Sequence, residues 1–404
     1  MAGKTQTLKF KRTVNAPIAE VFRAFTNATA LREWLSDGAT LEARQGGRIY
    51  LWWNDGYFAS GQVTRFVPNK KLAFTWAGWH APGAMHIDVT LAEENGDTRV
   101  TISHAGLGSG KAWAGTVKSF QRAWPLSLEN LQSVMETGHD LRFTLRPMLG
   151  INIGEFNADI ARKLGVPVTE GIRLDGVVEG MGAHAAGLQK DDVIVNMAGK
   201  KIFNWPSLTA TLLERRAGDV VKVAYYRGAE KRAATMTLSK RPLPDVPMTA
   251  AGLAEAVGKI DADFQAHLAK TFEGVTDAQA GRDPRPGEWS AKDVLCHLIA
   301  GERDTHAWII DLIGGQERWS DDWPGNIRTR HAGILASFPN VPALLEELCR
   351  NQAETAALLA ALPAAFVARR GSLWRLGYSL LQAPDHNNEH ITQIRAAVES
   401  ARKK

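Results

Sequence analysis

Two cysteines in 404 residues, Cys296 and Cys349, are too few for a disulfide framework and point to a reducing compartment. No stretch reaches the roughly 18 consecutive apolar residues of a membrane span. Residues 1–12 are polar and basic, without the apolar segment of a secretory signal. Charge of one sign is lacking too: 48 Lys and Arg stand against 43 Asp and Glu, a net +5 over the whole length. The basic clusters Lys4 to Arg12 and Arg227 to Arg241 read as solvated strand edges and linkers, and no basic stripe with interleaved aromatics speaks for nucleic acid. No Ser-His-Asp, Cys-His or paired-carboxylate grouping argues for a catalytic site made of protein alone. The expectation is a cytoplasmic chain without nucleic-acid or membrane partners. Its oligomeric state is left open.

The length is too great for one ordinary core and predicts two to four domains. Residues 5–138 open with a strand, Thr7 to Val14, then the helical runs Ile18 to Phe25 and Ala30 to Leu35. Alternating segments follow at Gly47 to Trp53, Phe58 to Phe66, Lys71 to Ala77, Met85 to Ala92 and Arg99 to His104, parted by turn residues such as Asn54-Asp55-Gly56 and Glu94-Asn95-Gly96-Asp97. A long amphipathic helix, Ala112 to Glu136, is expected to be interrupted at Pro125. The segments Arg12 to Pro17, Trp34-Leu35, Gly46 to Ile49, Gly61-Gln62-Val63 and Lys70 to Trp76 carry a resemblance to the START-like (SRPBCC) superfamily, in the branch of heat-shock ATPase activator homologues. The resemblance implies a curved sheet around a helix and a cavity for an apolar small molecule. Trp53, Trp76 and Trp124 are the expected lining, while His80, His86 and His104 share no spacing and are taken as ordinary residues.

Residues 141–240 read differently. Gly176 to Gly180, Ala183 to Leu188, Asp192-Val193-Ile194 and Ala217 to Val221 together resemble a bacterial PDZ domain of the HtrA-protease type, with Asp191 where that pattern usually has Gly. The resemblance implies that a peptide or protein C-terminus adds as a strand to a sheet edge. By that analogy Met148, Leu149 and Gly150 form the carboxylate loop, and Ile151 and Ile153 with Leu208 and Leu212 line the groove.

Pro242 to Pro247 reads as a stiff linker, and four amphipathic runs follow: Thr249 to Phe272, Ser290 to Ile313, Pro342 to Leu362 and Leu373 to Ser400. Ser290 is a candidate N-cap with Trp289 packing before it, and Pro384 predicts a kink or a fresh start just before His386. His386 and His390, four apart, face the same way on a helix, beside Ala383, Ile394, Ala397 and Val398. His297 borders the apolar arc of Val294, Leu298, Ile309 and Leu312 on another run. Two facing helices would bring these three imidazoles to one point, a ligand set for zinc, nickel or iron with a position left open. Cys296 points about 100° away from His297 and is a poor fourth ligand.

Pro286 to Ser290 with Val294 to Leu298 and Glu302, and Asp385 to Ile394, resemble the second and last helices of the DinB-like four-helix family. That resemblance implies a divalent metal, zinc foremost, on His297, His386 and His390. Gln393 and Glu302 are candidate supporting residues on the same faces.

The chain thus reads as a multidomain protein: an α+β helix-grip START-like domain over 1–140, a mainly-β PDZ domain over 141–241, and an all-α four-helix bundle over 248–404. Its expected function is binding of a metal, an apolar ligand and a peptide. Two alternatives stay open. One, implied by the DinB-like resemblance, is a metal-dependent thiol S-transferase or hydrolase, the former using a low-molecular-weight thiol such as bacillithiol or mycothiol in detoxification. The other is a chaperone-linked or regulatory scaffold without catalysis. Catalytic residues are not assigned.

Overall fold

The computed structural model describes residues 5–318 and 327–403, so Lys4 of the first basic cluster lies outside the described residues. The chain forms two compact units, Met1–Asp140 with Pro244–Lys404, and Leu141–Leu243.

In the first unit seven antiparallel strands make one sheet: β1 Thr5–Val14, β2 Gly38–Leu41, β3 Arg48–Trp52, β4 Phe58–Val67, β5 Lys71–Gly78, β6 Met85–Glu94 and β7 Asp97–Gly108, in the order β1-β7-β6-β5-β4-β3-β2. Period-two alternation puts Met85, Ile87, Val89 and Leu91 of β6 inside, and Val100, Ile102 and His104 of β7 beside them. Asn95 and Gly96 close that hairpin with positive φ at both positions, as a type I′ turn needs. Among the described residues β2 pairs with β3 alone, at the sheet edge, and its four residues carry too little alternation to be read from sequence.

The helix Ala114–Thr137 runs through Pro125 without a break, against the expected interruption. Proline removes one backbone hydrogen bond, but Trp124, Leu128, Leu131 and Val134 are buried immediately around and after it. That packing holds the helix together across the missing bond.

The bundle is built from Ala250–Thr271, Ala291–Gly314, Val341–Ala360 and Ala383–Arg402, with Arg328–Ser337 and Arg370–Leu380 between them. Ser290 is an N-cap: its hydroxyl accepts from Asp293 N at 3.1 Å, and the Asp293 side chain closes the capping box. The last amphipathic run divides after Leu380, and a fresh helix starts with Pro384 in its first turn, where the missing N–H costs nothing.

Bundle and sheet meet through polar bonds as well as packing. Asn27 Nδ2 donates to Gly315 O at 2.8 Å, Glu317 N to Thr29 Oγ1 at 3.0 Å, and Ser372 Oγ to buried Glu33. Burial pushes the Glu33 carboxyl above its ordinary range.

In the second unit the sheet runs from Glu230–Thr237 through Val220–Arg227, Val193–Met197 and Ile172–Val177 to Ile151–Gly154 at its edge. Asp191 stands at φ 68°, a left-handed position that glycine usually takes, and its carboxylate accepts from Arg173 Nε at 2.8 Å. The neighbouring Asp192, fully buried, takes a two-pronged bond from Arg227.

Candidate functional site

His297 sits in the N-terminal half of the helix Ala291–Gly314, where Val294, Leu295, Cys296, Leu298, Ile299 and Ala300 are all buried. His386 and His390 project one turn apart from Ala383–Arg402, a helix packed on the same cluster through Ile391, Ile394, Ala397 and Val398. One potential ligand nitrogen from each of the three histidines lies within 4.8 Å of the other two. The Nε2 atoms of His386 and His390 are 3.0 Å apart, and the His297 ring centroid is 4.9 Å from that of His390 and 5.8 Å from that of His386. Tetrahedral zinc with N at ~2.0–2.1 Å places its nitrogens about 3.4 Å apart, so small rotations about the side-chain bonds bring all three onto one ion.

The electrostatics suit such an ion. Burial lowers the pKa of His386, and burial followed by the neighbouring His386 lowers that of His390, so both favour the neutral, lone-pair form. Gln393 Oε1 lies 2.9 Å from His390 Nδ1; it accepts that N–H and leaves the Nε2 lone pair facing the cluster. His297 is buried and His386 exposed, so the cluster opens to solvent on one side.

One wall is aromatic. The Trp289 ring lies 5.2 Å from His297 and 5.1 Å from His331, a buried histidine on the unanticipated helix Arg328–Ser337. His331 Nδ1 is 3.4 Å from Asp293 Oδ1, and Asp293 also takes Arg328 at 3.0 Å.

Glu302 is placed elsewhere. Five residues beyond His297 is roughly 140° around the helix, and its Oε2 accepts from Thr355 Oγ1 at 2.7 Å. Beside it, Asp261 is pushed up to about 7 by burial and then by the Glu302 charge. Cys296 is fully buried, and burial raises its thiol to about 12, which excludes it as a ready thiolate.

In the second unit Leu149, Leu208 and Leu212 belong to the buried core, with Ile151 packed against it and Met148 half-buried. Ile153 is exposed. Gly150 has φ 75°, and a Cβ there would stand 2.2 Å from Met181 Cβ, so only glycine fits this turn.

The three tryptophans expected to line a cavity do converge: Trp76 lies 6.3 Å from Trp53 and 6.2 Å from Trp124, ring to ring. Beside two of them, Trp76 and Trp124, is His104, which the sequence alone left as an ordinary residue. Its Nδ1 accepts from Trp124 Nε1 at 3.1 Å, and burial lowers its pKa to about 4. The signal that could have found it is the alternation with Val100 and Ile102, which puts position 104 on the inner face.

Three family models match the chain in succession: "Activator of Hsp90 ATPase homolog 1-like protein" over residues 15–136, "PDZ domain" over 147–238 and "DinB superfamily" over 262–394. Among curated proteins, a serine protease Do-like HtrA of Lactococcus lactis is 32% identical over 100 residues, 24% of this chain and 24% of its own. The human activator of 90 kDa heat shock protein ATPase homolog 1 is 29% identical over 105 residues, 26% of this chain and 30% of its own. The chain spans less than a third of the length of the curated relatives it matches. Among solved structures, that of the Aha1 dimer from Colwellia psychrerythraea is 19% identical with TM-score 0.29, covering 32% of this chain and 96% of that one. An α+β module with an antiparallel sheet, a β-rich PDZ module and an all-helical DinB module therefore follow one another along the chain. Among the described residues no helix is long and apolar enough to cross a membrane.

Proposed function

We propose that this chain is a cytoplasmic binding protein of three modules whose chemical centre is a divalent metal ion, zinc foremost, held by His297, His386 and His390. The observation that carries the reading is the approach of three imidazole nitrogens to within 4.8 Å of one another. The donor set fits: two of the rings are driven toward neutrality by burial, and Gln393 orients one of them. When bound, the ion supplies a Lewis acid with a free coordination position. His297 is the buried anchor, Trp289 shields one flank, and the exposed His386 marks the side from which a small molecule reaches the ion. The free cysteines, Cys296 and Cys349, accord with a reducing compartment.

The other modules recruit. Ile151–Gly154 ends its sheet, a position from which a peptide C-terminus can add as a further strand, with the Met148-Leu149-Gly150 turn at its carboxylate. The tryptophan cluster of the first module takes an apolar small molecule.

A second reading, metal-dependent transfer of a low-molecular-weight thiol to an electrophile, is favoured by the solvent-facing side of the histidine cluster, since structural zinc sites are closed. The thiol would come from the co-substrate, because Cys296 is buried and protonated.

The test is calorimetric titration of chelator-stripped protein with zinc. The expected result is one site per chain, strongly weakened in His297→Ala and in His390→Ala, each of which keeps two of the three rings; silence in the wild type overturns both readings. Conjugation of a model electrophile by a small thiol, with and without chelator, then separates transferase from binding protein.

A further inference from the structure

We propose that His104 is the polar anchor of the ligand site in the N-terminal module, and that the ligand is an uncharged planar aromatic molecule whose carbonyl oxygen accepts a hydrogen bond from His104 Nε2. The proposal rests on the reading of that module as an apolar-ligand binder and adds what the ligand must carry.

The tautomer follows from one contact. Trp124 Nε1 lies 3.1 Å from His104 Nδ1, and an indole N–H only donates, so Nδ1 supplies the lone pair. A neutral ring then carries its proton on Nε2. The ring is neutral because His104 is fully buried, and burial lowers its pKa to about 4 with no charged side chain contributing. Yet Nε2 is buried with no hydrogen-bond partner among the described residues. Native interiors rarely leave such a donor without an acceptor, because its lost hydration is not replaced.

The neighbours say what the acceptor belongs to. Phe120 lies 4.2 Å from the imidazole, ring to ring, Trp76 at 6.0 Å and Trp124 at 6.3 Å. The indole donors of this lining are engaged: Trp76 Nε1 with Tyr57 Oη at 3.1 Å and Trp53 Nε1 with Leu35 O at 2.8 Å. His104 Nε2 is a buried donor without an acceptor in a lining of flat apolar faces. Such faces select a planar aromatic body by stacking. A carboxylate or phosphate would enter without a countercharge, which argues for a neutral acceptor.

Phe120 marks the way in. It is half-buried, and no residue of its helix before Trp124 is buried, so that half of the helix is a partly exposed cover of the cluster. Rotation of Phe120 away from the imidazole opens Nε2 to a ligand oxygen.

The experiment compares 9-fluorenone with fluorene, one ring skeleton with and without a carbonyl, by quenching of tryptophan fluorescence in the full chain. Fluorenone is expected to bind about tenfold tighter, the effect of one buried hydrogen bond, and His104→Phe to bring the two affinities together. A second measurement needs no variant: in ¹⁵N-labelled wild type the His104 Nε2–H resonance is expected to move downfield with fluorenone and to stay in place with fluorene. Equal affinities in the wild type, as a trapped water on Nε2 would give, overturn the anchor and leave the apolar site standing. Failure of both molecules to bind overturns the site and the anchor together.

Discussion

Glu317 and Arg32 form an ion pair at 2.9 Å in which only 4% of the Glu317 side chain is exposed. Arg32 comes from the sheet module, Glu317 from the segment after the helix Ala291–Gly314, and Arg375 clasps the same carboxylate from the bundle at 2.6 and 2.7 Å. One anion thus bridges two guanidinium groups that would otherwise repel each other.

Glu317→Ala should therefore cost about 3–5 kcal/mol, because two largely buried cations lose their common partner. Denaturant unfolding checks this. Wild type should show one transition for sheet module and bundle together, and the variant an earlier or divided one.

Asp261 gives a pH dependence with a definite sign. Its pKa rises on folding from 3.8 to about 7, so the folded state holds this proton more tightly than the unfolded chain. The contribution to stability is complete below about 3.8 and is lost as pH rises through about 7. Asp261→Asn should raise the melting temperature at pH 8, leave it nearly unchanged at pH 4, and flatten the profile between. A calorimetric melt of the two proteins across that range decides it.

Gln393 touches His390 on the side away from the cluster. Gln393→Ala should weaken zinc binding by about tenfold to a hundredfold without abolishing it, as loss of an orienting partner does. Competition against a fluorescent chelator measures the shift.

Gly150→Ala should destabilise the second unit by about 1–3 kcal/mol, since both the positive φ and Met181 exclude a Cβ. Peptides with an apolar free C-terminus should bind wild type and fail once amidated, as fluorescence anisotropy would show.

What could be read from the sequence followed from periodicity and from family motifs. Alternation gave six of the strands of the first sheet, and the spacing of His386 and His390 fixed their common direction on a helix. What escaped depends on contacts across the chain. The Arg32–Glu317 pair joins residues far apart in sequence, and no local pattern announces it. Glu302 shares a helix with His297 but faces Thr355, because five residues of helix do not return to the same side. The helix Trp205–Leu212 is amphipathic either way, so sequence alone could not tell Leu208 and Leu212 in the core from groove lining. His104 has no partner in sequence; only the fold surrounds it with Phe120, Trp76 and Trp124.

The most direct measurement is X-ray absorption at the zinc edge on zinc-loaded protein. Three imidazole ligands predict nitrogen scatterers at about 2.0 Å with the outer-shell pattern of three histidine rings, reduced to two rings in His297→Ala. A first shell of oxygen alone, unchanged in that variant, would contradict a metal centre on His297, His386 and His390.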